Sequence, residues 1–402
     1  MAGKLIKTAL GLAAVGFISA WAMGPDWRAL IMNPPSGKDV LFWSDAQREA
    51  GFRMLDQVSF LVKAREIKAT ETVRPLPAGK PLPQGDHISV DIDAYMEKNQ
   101  VSGLVIIQNG KIRFEKYGLG FTDKGRWTSF SVAKSVTSTL VGAAIKDGYI
   151  KSLDANVADY ITGLKGSAYD GVTIEQLLTM SSGVKWNEDY SDPNSDVAKF
   201  GLHKAEGDIN PIVSYMRALP RAHPAGTVWN YSTGETNMIG LLVRSATGKQ
   251  LADYAAEKIW GPYGMEADAS WLLDAQGEEI SGCCIQASTR DFARIGQFML
   301  DGAKVDGEPI VPEGWIAQAT QARFDVPNRD VGYGYQWWIH GNGAFDARGI
   351  FGQGIYIVPR LNLVIATNSN WADASGRKKG QSANRSAFHK AIVKLIEDED
   401  VQ

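Results

Sequence analysis

Only two cysteines occur in the 402 residues, and they are neighbours, Cys283 and Cys284. Adjacent cysteines rarely satisfy ordinary disulfide geometry, so no disulfide framework is expected and the redox compartment is not legible from them. Histidine is scarce too. The five residues (His87, His203, His223, His340, His389) fall at no metal-ligand spacing, which argues against a structural zinc or a His-rich metal centre. Neither sign of charge is in excess: the formal net charge is -3, with a pI near 6.0, so no broad attraction to nucleic acid or anionic lipid is expected. Also absent are a Gly-x-Ser-x-Gly elbow, a His-Glu-x-x-His pair and a Gly-Lys-Ser/Thr phosphate loop. No internal repeat or low-complexity tract stands out, and after about residue 25 no further run is apolar enough to span a bilayer.

What is present is a core-forming composition, 44% hydrophobic and 10% aromatic, enough for one large domain or two. Lys4 and Lys7 precede an apolar run that ends near Gly24, with Ala20-Trp21-Ala22 as a small-x-small cleavage site. Residues 1–24 therefore read as a secretory signal or, if retained, a membrane anchor. Either way the chain is expected to be exported, to the periplasm or to the inner membrane facing it. Residues 25–86 are proline-bearing with a helix-like middle from Ser44 to Leu61, and read as an extension that wraps the main domain or tethers it to the membrane. The main domain is expected over 87–402.

Within that domain, Gly103–Gln108 and Lys111–Tyr117 flank Asn109-Gly110, a strong hairpin signal, and the first run is apolar on both faces. A mostly helical stretch follows, about 120–330, including a Thr173-x-x-Gln176 capping box and helices over Leu251–Trp260 and Ser288–Leu300. Strand patterns return at Tyr333–His340, Ile350–Val358 and Leu363–Asn368. A last helix, Asn384–Glu397, carries Phe388, Ile392 and Leu395 on one face. The expected architecture is α/β (α+β): one antiparallel sheet built from both chain ends with flanking helices, beside a helical subdomain, and a cleft at their junction.

The chemistry centres on Ser129–Gly148. Small and apolar residues recur at helical spacing (Val132, Val136, Leu140, Ala143, Ala144), and Gly148 stands where a C-terminal cap belongs. Ser131 and Lys134 are three apart and share a helix face. A desolvated lysine is pushed toward its neutral form, which can accept a serine proton, while the helix N-terminus favours an oxyanion beside Ser131. Alone, this spacing occurs by chance in many chains. About 100 residues on, Tyr231 follows a Pro224-Ala-Gly226 turn at a helix start, where a tyrosine close to an ammonium can act as general base and acid. Further on, glycines interrupt the strand-like Ala347–Pro359, as happens where a ligand or another backbone approaches closely.

Together, Ser131-Val-Ala-Lys134, Tyr231-Ser-Thr233 and the glycine-bearing late strand resemble the three motifs of the serine β-lactamase and penicillin-binding-protein superfamily, over about 88–397. Leu177–Gly183 and Pro262–Met265 are similar to what that family carries in its helical region. Asn187-Glu-Asp-Tyr190 and Phe351-Gly-Gln353 look closest to its branch of 6-aminohexanoate-dimer hydrolases and esterases. The resemblance implies Ser131 as acylated nucleophile, Lys134 as its proton acceptor and Tyr231 as relay to the leaving group. It also implies the backbone N–H groups of Ser131 and Gln353 as oxyanion hole, and Tyr190, Ile350 and Gly352 at the substrate, with no metal and no cofactor.

Two departures bear on the substrate. Thr233 stands where β-lactamases carry asparagine, and Ile350-Phe351-Gly352 lacks the cation of Lys-Thr-Gly that holds a substrate carboxylate. The expected activity is hydrolysis of small amides or esters. The alternatives are a D-Ala-D-Ala peptidase or β-lactamase, or a ligand-binding sensor on the same fold that does not turn over.

Overall fold

Asn109 and Gly110 both adopt left-handed dihedrals, with φ of 52° and 72°, as a two-residue hairpin turn with the native strand twist requires. The turn sets Gln108 opposite Lys111, and Val101–Gln108 pairs on its other side with Leu363–Ser369, so the two ends of the domain meet in the middle of one sheet. In this computed structural model, which describes residues 24–35, 40–58, 62–83, 90–205 and 209–400, that sheet has eight antiparallel strands. Beyond Leu363–Ser369 it continues through Gly354–Val358, Phe345–Arg348, Trp338–Ile339, Gly332–Tyr333 and Phe324–Asp325. The proposed signal segment lies outside the described residues.

Both faces of the central strands are covered. Val105 and Ile107 pack into the core that contains Val136 and Leu140, while Leu104 and Ile106 face Phe388, Ile392 and Ile396 of the helix Gln381–Asp400. Burying each such side chain is worth about 1.5–3 kcal/mol, so both rows must be apolar, and the strand reads as one continuous apolar run.

The helix Val132–Lys146 is buried from Val132 through Ala144. It stops where Gly148 turns left-handed (φ 82°) and Tyr149 N–H returns to the Ala144 carbonyl at 2.9 Å. Alongside it packs the helix Thr233–Thr247, capped by the Ser232 hydroxyl. The capping box at Thr173 and Gln176 forms in full.

Several elements differ from expectation. Three strands of a second, four-stranded sheet, Trp127–Thr128, Ala269–Leu273 and Ile285–Ala287, lie inside the stretch read as helical; the fourth is Lys63–Ile67 of the extension. Strands this short show no alternation, and the partner that orders them comes from about 200 residues away. In the extension the helix Asp45–Gly51 ends early, and at Gly51 a Cβ would lie 2.6 Å from the Trp43 ring; residues 59–61 of the expected helix lie outside the described residues. Tyr333–His340 is two short strands broken at Gln336 (φ 63°), and Ile350–Val358 begins as a tight turn, Ile350–Gly352, with Phe351 left-handed. The sulfurs of Cys283 and Cys284 are brought into contact, the Cα atoms 3.6 Å apart with Cys284 at φ 85°. A left-handed residue lets neighbouring sulfurs meet where ordinary backbone holds them apart. Among the described residues, no helix is long and apolar enough to cross a membrane.

Candidate active site

Ser131 occupies the N-cap position of its helix, yet its hydroxyl makes no capping bond. That distinguishes it from Ser232, Ser288 and Thr173, whose side chains cap their helices in the usual way. The Ser131 hydroxyl instead lies close enough to Tyr231 to lower its phenol pKa in part. The sequence folds this way because Ser129 is fastened on both sides: its N–H donates to the Ile285 carbonyl at 2.8 Å and its hydroxyl accepts from Ile285 N–H at 2.9 Å. The chain then swings through Phe130 at φ 43° into the helix.

Lys134 is 1% exposed. Its ammonium donates to Thr233 Oγ1 at 2.9 Å and to the Gly282 carbonyl at 2.8 Å, and lies 5.3 Å from the centre of the Tyr231 ring. Among the described residues no carboxylate comes within ion-pair distance of it. Burial therefore dominates and lowers its pKa to about 8, although the more distant charge of Glu188 pulls the other way. The neutral amine, the form able to take a proton from Ser131, is a minority at pH 7 and the majority above pH 8.

Tyr231 moves in the opposite direction. Burial, and then the Glu188 charge, raise its pKa far above the ordinary phenol value, and the nearby Ser131 hydroxyl only partly offsets them. In this resting arrangement Tyr231 is a neutral hydroxyl, not a standing phenolate. Its ring belongs to an aromatic wall, stacked on Trp338 at 5.6 Å and edge-on to Tyr333 at 6.1 Å.

Two members of the site were missed in the sequence. Glu188 accepts from Thr233 N–H at 2.9 Å and Tyr190 hydroxyl at 2.7 Å, and also from the Thr233 hydroxyl and the Trp186 indole. With the Thr233 hydrogen committed to Glu188, a lone pair on Oγ1 is left for Lys134. Its signal was visible in Asn187-Glu-Asp-Tyr190, where only the tyrosine was singled out. Gly282 is the other: a Cβ there would lie 2.9 Å from Thr233 Cγ2 and 3.0 Å from the Lys134 amine, so only glycine lets its carbonyl reach the lysine. Nothing in Ser281-Gly-Cys-Cys284 pointed to this.

Opposite the helix, the turn Ile350–Gly352 brings Gln353 into the site's surroundings. Its side chain is buried and tied to Ser369, donating to the carbonyl at 2.8 Å and accepting from the N–H at 3.1 Å. Among the described residues the backbone N–H groups of Ser131 and Gln353 both lack an intramolecular acceptor. The two segments run against each other, since a Cβ on Gly349 would come within 3.0 Å of Phe130 Cβ. Tyr190 joins the site through Glu188. Ile350 packs on the aromatic cluster around Phe52, and Gly352 (φ 94°) lies flat on Trp371, where a Cβ would be 2.5 Å from the ring. Among the described residues neither His223 nor His340 bonds Ser131; His340 sits 3.3 Å from Asp346 and 3.1 Å from Arg348.

A Ser-Lys-Tyr cluster around a buried lysine, on this sheet-and-helix frame, has counterparts among known proteins. The family model described as Beta-lactamase matches residues 90–387. The chain belongs to the β-lactamase family. Within it, 6-aminohexanoate-dimer hydrolase of Paenarthrobacter ureafaciens is 28% identical over 302 residues, covering 71% of this chain and 77% of that one. A β-lactamase of Pseudomonas fluorescens is 22% identical over 212 residues, and this match spans 49% of the chain and 55% of the relative. Among solved structures, a Bacillus anthracis protein described as a 6-aminohexanoate-dimer hydrolase superposes with a TM-score of 0.76 at 22% identity, covering 88% of this chain and 95% of that one. A family VIII carboxylesterase reaches 0.58 at 19% identity over 74% of this chain and 95% of its own. These structural likenesses establish the β-lactamase fold, and the family's relatives are amidases, esterases and β-lactamases.

Proposed function

We propose that this β-lactamase-family chain is a serine hydrolase that cleaves small amides or esters through an acyl-serine intermediate. The observation that carries the reading is the buried Lys134, held beside Ser131's helix turn by Thr233 and Gly282, with a pKa near 8 and no ion-pair partner among the described residues. Neutral Lys134 takes the Ser131 proton as Oγ attacks the carbonyl carbon. The oxyanion that forms is held by the backbone N–H groups of Ser131 and Gln353. Tyr231, beside Ser131 and packed over the lysine, delivers the proton to the departing amine or alcohol; the reverse relay then activates the water that frees Ser131.

One relative is a 6-aminohexanoate-dimer hydrolase, which makes a short linear amide the first substrate to try. The site fits such a substrate: the aromatic wall of Tyr231, Tyr333 and Trp338 suits an aliphatic chain, and Ile350 stands where a penicillin-binding cation would be needed. We place the enzyme outside the cytoplasm on the strength of the amino-terminal pattern, and the mass of the mature chain from an expressing cell tests that address.

The deciding measurement is intact-protein mass spectrometry with parallel turnover on a p-nitrophenyl ester, 6-aminohexanoate dimer and a penicillin. A transient acyl adduct on Ser131 with rapid turnover of ester or amide supports the hydrolase. A stable adduct without turnover would replace it with a penicillin-binding or sensor role.

A further inference from the structure

The two segments that would carry the oxyanion-hole donors share an unusual feature. Phe130, immediately before Ser131, and Phe351, two residues before Gln353, are both left-handed, with φ of 43° and 57°. Non-glycine residues adopt such backbone at a cost, and aromatic residues rarely do so unless the surroundings over-determine it. Here the surroundings are one side chain from outside the family domain.

Phe52 is fully buried. Its ring lies 5.0 Å from Phe130, edge to face, and 5.5 Å from Phe351, while those two rings are 5.6 Å apart. Trp127 closes the cluster at 5.8 Å, and the Phe52 carbonyl accepts from Thr128 N–H at 3.1 Å. One turn earlier, Arg48 covers the Phe351 ring at 4.7 Å and donates to Asn370 Oδ1 at 3.0 Å and the Trp371 carbonyl at 3.1 Å. Trp371 N–H in turn donates to the Phe351 carbonyl at 3.1 Å. The segment Asp45–Phe52 is thus a wedge against both donor segments at once, and it precedes the matched family region, 90–387.

We infer that Phe52, in the amino-terminal extension, is a positioning residue for catalysis: it sets Phe130 and Phe351, and through them the Ser131 and Gln353 N–H groups, in oxyanion-binding geometry. This rests on the hydrolase reading above. Phe52 itself touches no substrate. Its ring packs into an aromatic three-way contact whose geometry a smaller side chain cannot reproduce, and donors displaced by a few tenths of an ångström lose much of their value to a transition state.

The test compares the full chain with Phe52→Ala, Phe52→Leu and Met54→Ala. Met54 is buried in the same extension but belongs to a different cluster, with Leu30, Ala50 and Val58. Two readouts are taken: turnover of p-nitrophenyl acetate, and inhibition by phenylboronic acid, which adds to a serine Oγ as a tetrahedral anion with one hydroxyl in the oxyanion position. Phe52→Ala is expected to lower kcat roughly 10- to 100-fold with KM within about twofold, and to weaken boronate inhibition by a similar factor. Phe52→Leu, which keeps bulk and folds if alanine does not, should recover part of both. Met54→Ala should lower the melting midpoint and leave both readouts at wild-type level. Wild-type kcat and boronate affinity in a folded Phe52→Leu or Phe52→Ala protein would overturn the inference while leaving the hydrolase intact. Ester turnover that survives Ser131→Ala would overturn the hydrolase reading and this inference with it.

Discussion

The two halves of the candidate site are built from different materials. On the proton-handling side, side chains do everything: Lys134, Thr233, Glu188 and Tyr190 form a chain of hydrogen bonds in a buried setting, and Tyr231 closes over the lysine. On the proposed oxyanion side the atoms assigned to the work are backbone N–H groups, and what packs against their segments is hydrocarbon, the cluster of Phe52, Phe130 and Phe351. A polar network sets protonation states through charge and burial. An aromatic cluster sets only position. The two halves should therefore fail differently when cut.

The deepest cut falls on the polar half. Ser131→Ala removes the nucleophile and should reduce ester and amide turnover by roughly 10³-fold or more, with the melting midpoint nearly unchanged because the hydroxyl caps nothing. Lys134→Met should be almost as inactive yet more stable. The lysine's folded-state pKa, about 8, lies below the 10.5 of a free lysine, so folding at neutral pH carries a buried cation. That burden is present below about pH 8 and is relieved as pH rises toward 10.5, because the unfolded chain then holds the extra proton. Urea unfolding at pH 7 should favour the methionine variant by roughly 1–3 kcal/mol, and the gap should narrow at pH 10. A methionine variant less stable than wild type at both pH values would mean that the Thr233 and Gly282 bonds outweigh the desolvation.

A smaller effect is expected where the two sides of the lysine meet. Gly282→Ala would press a methyl group against Thr233 and the Lys134 amine, at 2.9 and 3.0 Å, and push back the carbonyl that grips the lysine. Turnover should fall roughly tenfold with little change in KM, since the substrate does not meet this carbonyl. Unchanged kcat would show that Thr233 alone holds Lys134.

Legibility in the sequence follows the same divide. Ser131, Lys134 and Tyr231 were readable because their chemistry needs particular side chains at particular spacings, and the hairpin at Asn109-Gly110 because left-handed turns select those residues. The strands around it were readable from apolar runs buried on both faces. What escaped was whatever depends on partners distant in the chain. Lys63–Ile67 is a strand because Ala269–Leu273 pairs with it, and Phe52 matters because Phe130 and Phe351 converge on it. The close approach of Cys283 and Cys284 depends on one left-handed residue that no pattern announced. Backbone donors leave no mark at all in residue type; Gln353 was named only through a family likeness, and its own side chain merely anchors it to Ser369.

The finest probe of the polar half is Glu188→Gln. The carboxylate has two effects that separate experimentally. It orders Thr233, and it favours the protonated form of Lys134 from a distance, acting against burial. A glutamine keeps the size, but its single carbonyl oxygen cannot accept all four of the donors that the carboxylate serves. The maximal rate should fall a fewfold to about tenfold. Removing the negative charge leaves burial less opposed, so the lysine pKa drops further, and the acid limb of kcat/KM against pH should move below the position near 8 expected for the wild type. Phe52→Leu, acting through position alone, should lower the rate and leave that limb where it was. A limb that stays at 8 in Glu188→Gln, or that moves in Phe52→Leu, would break the division of the site into a half that tunes protons and a half that only holds place.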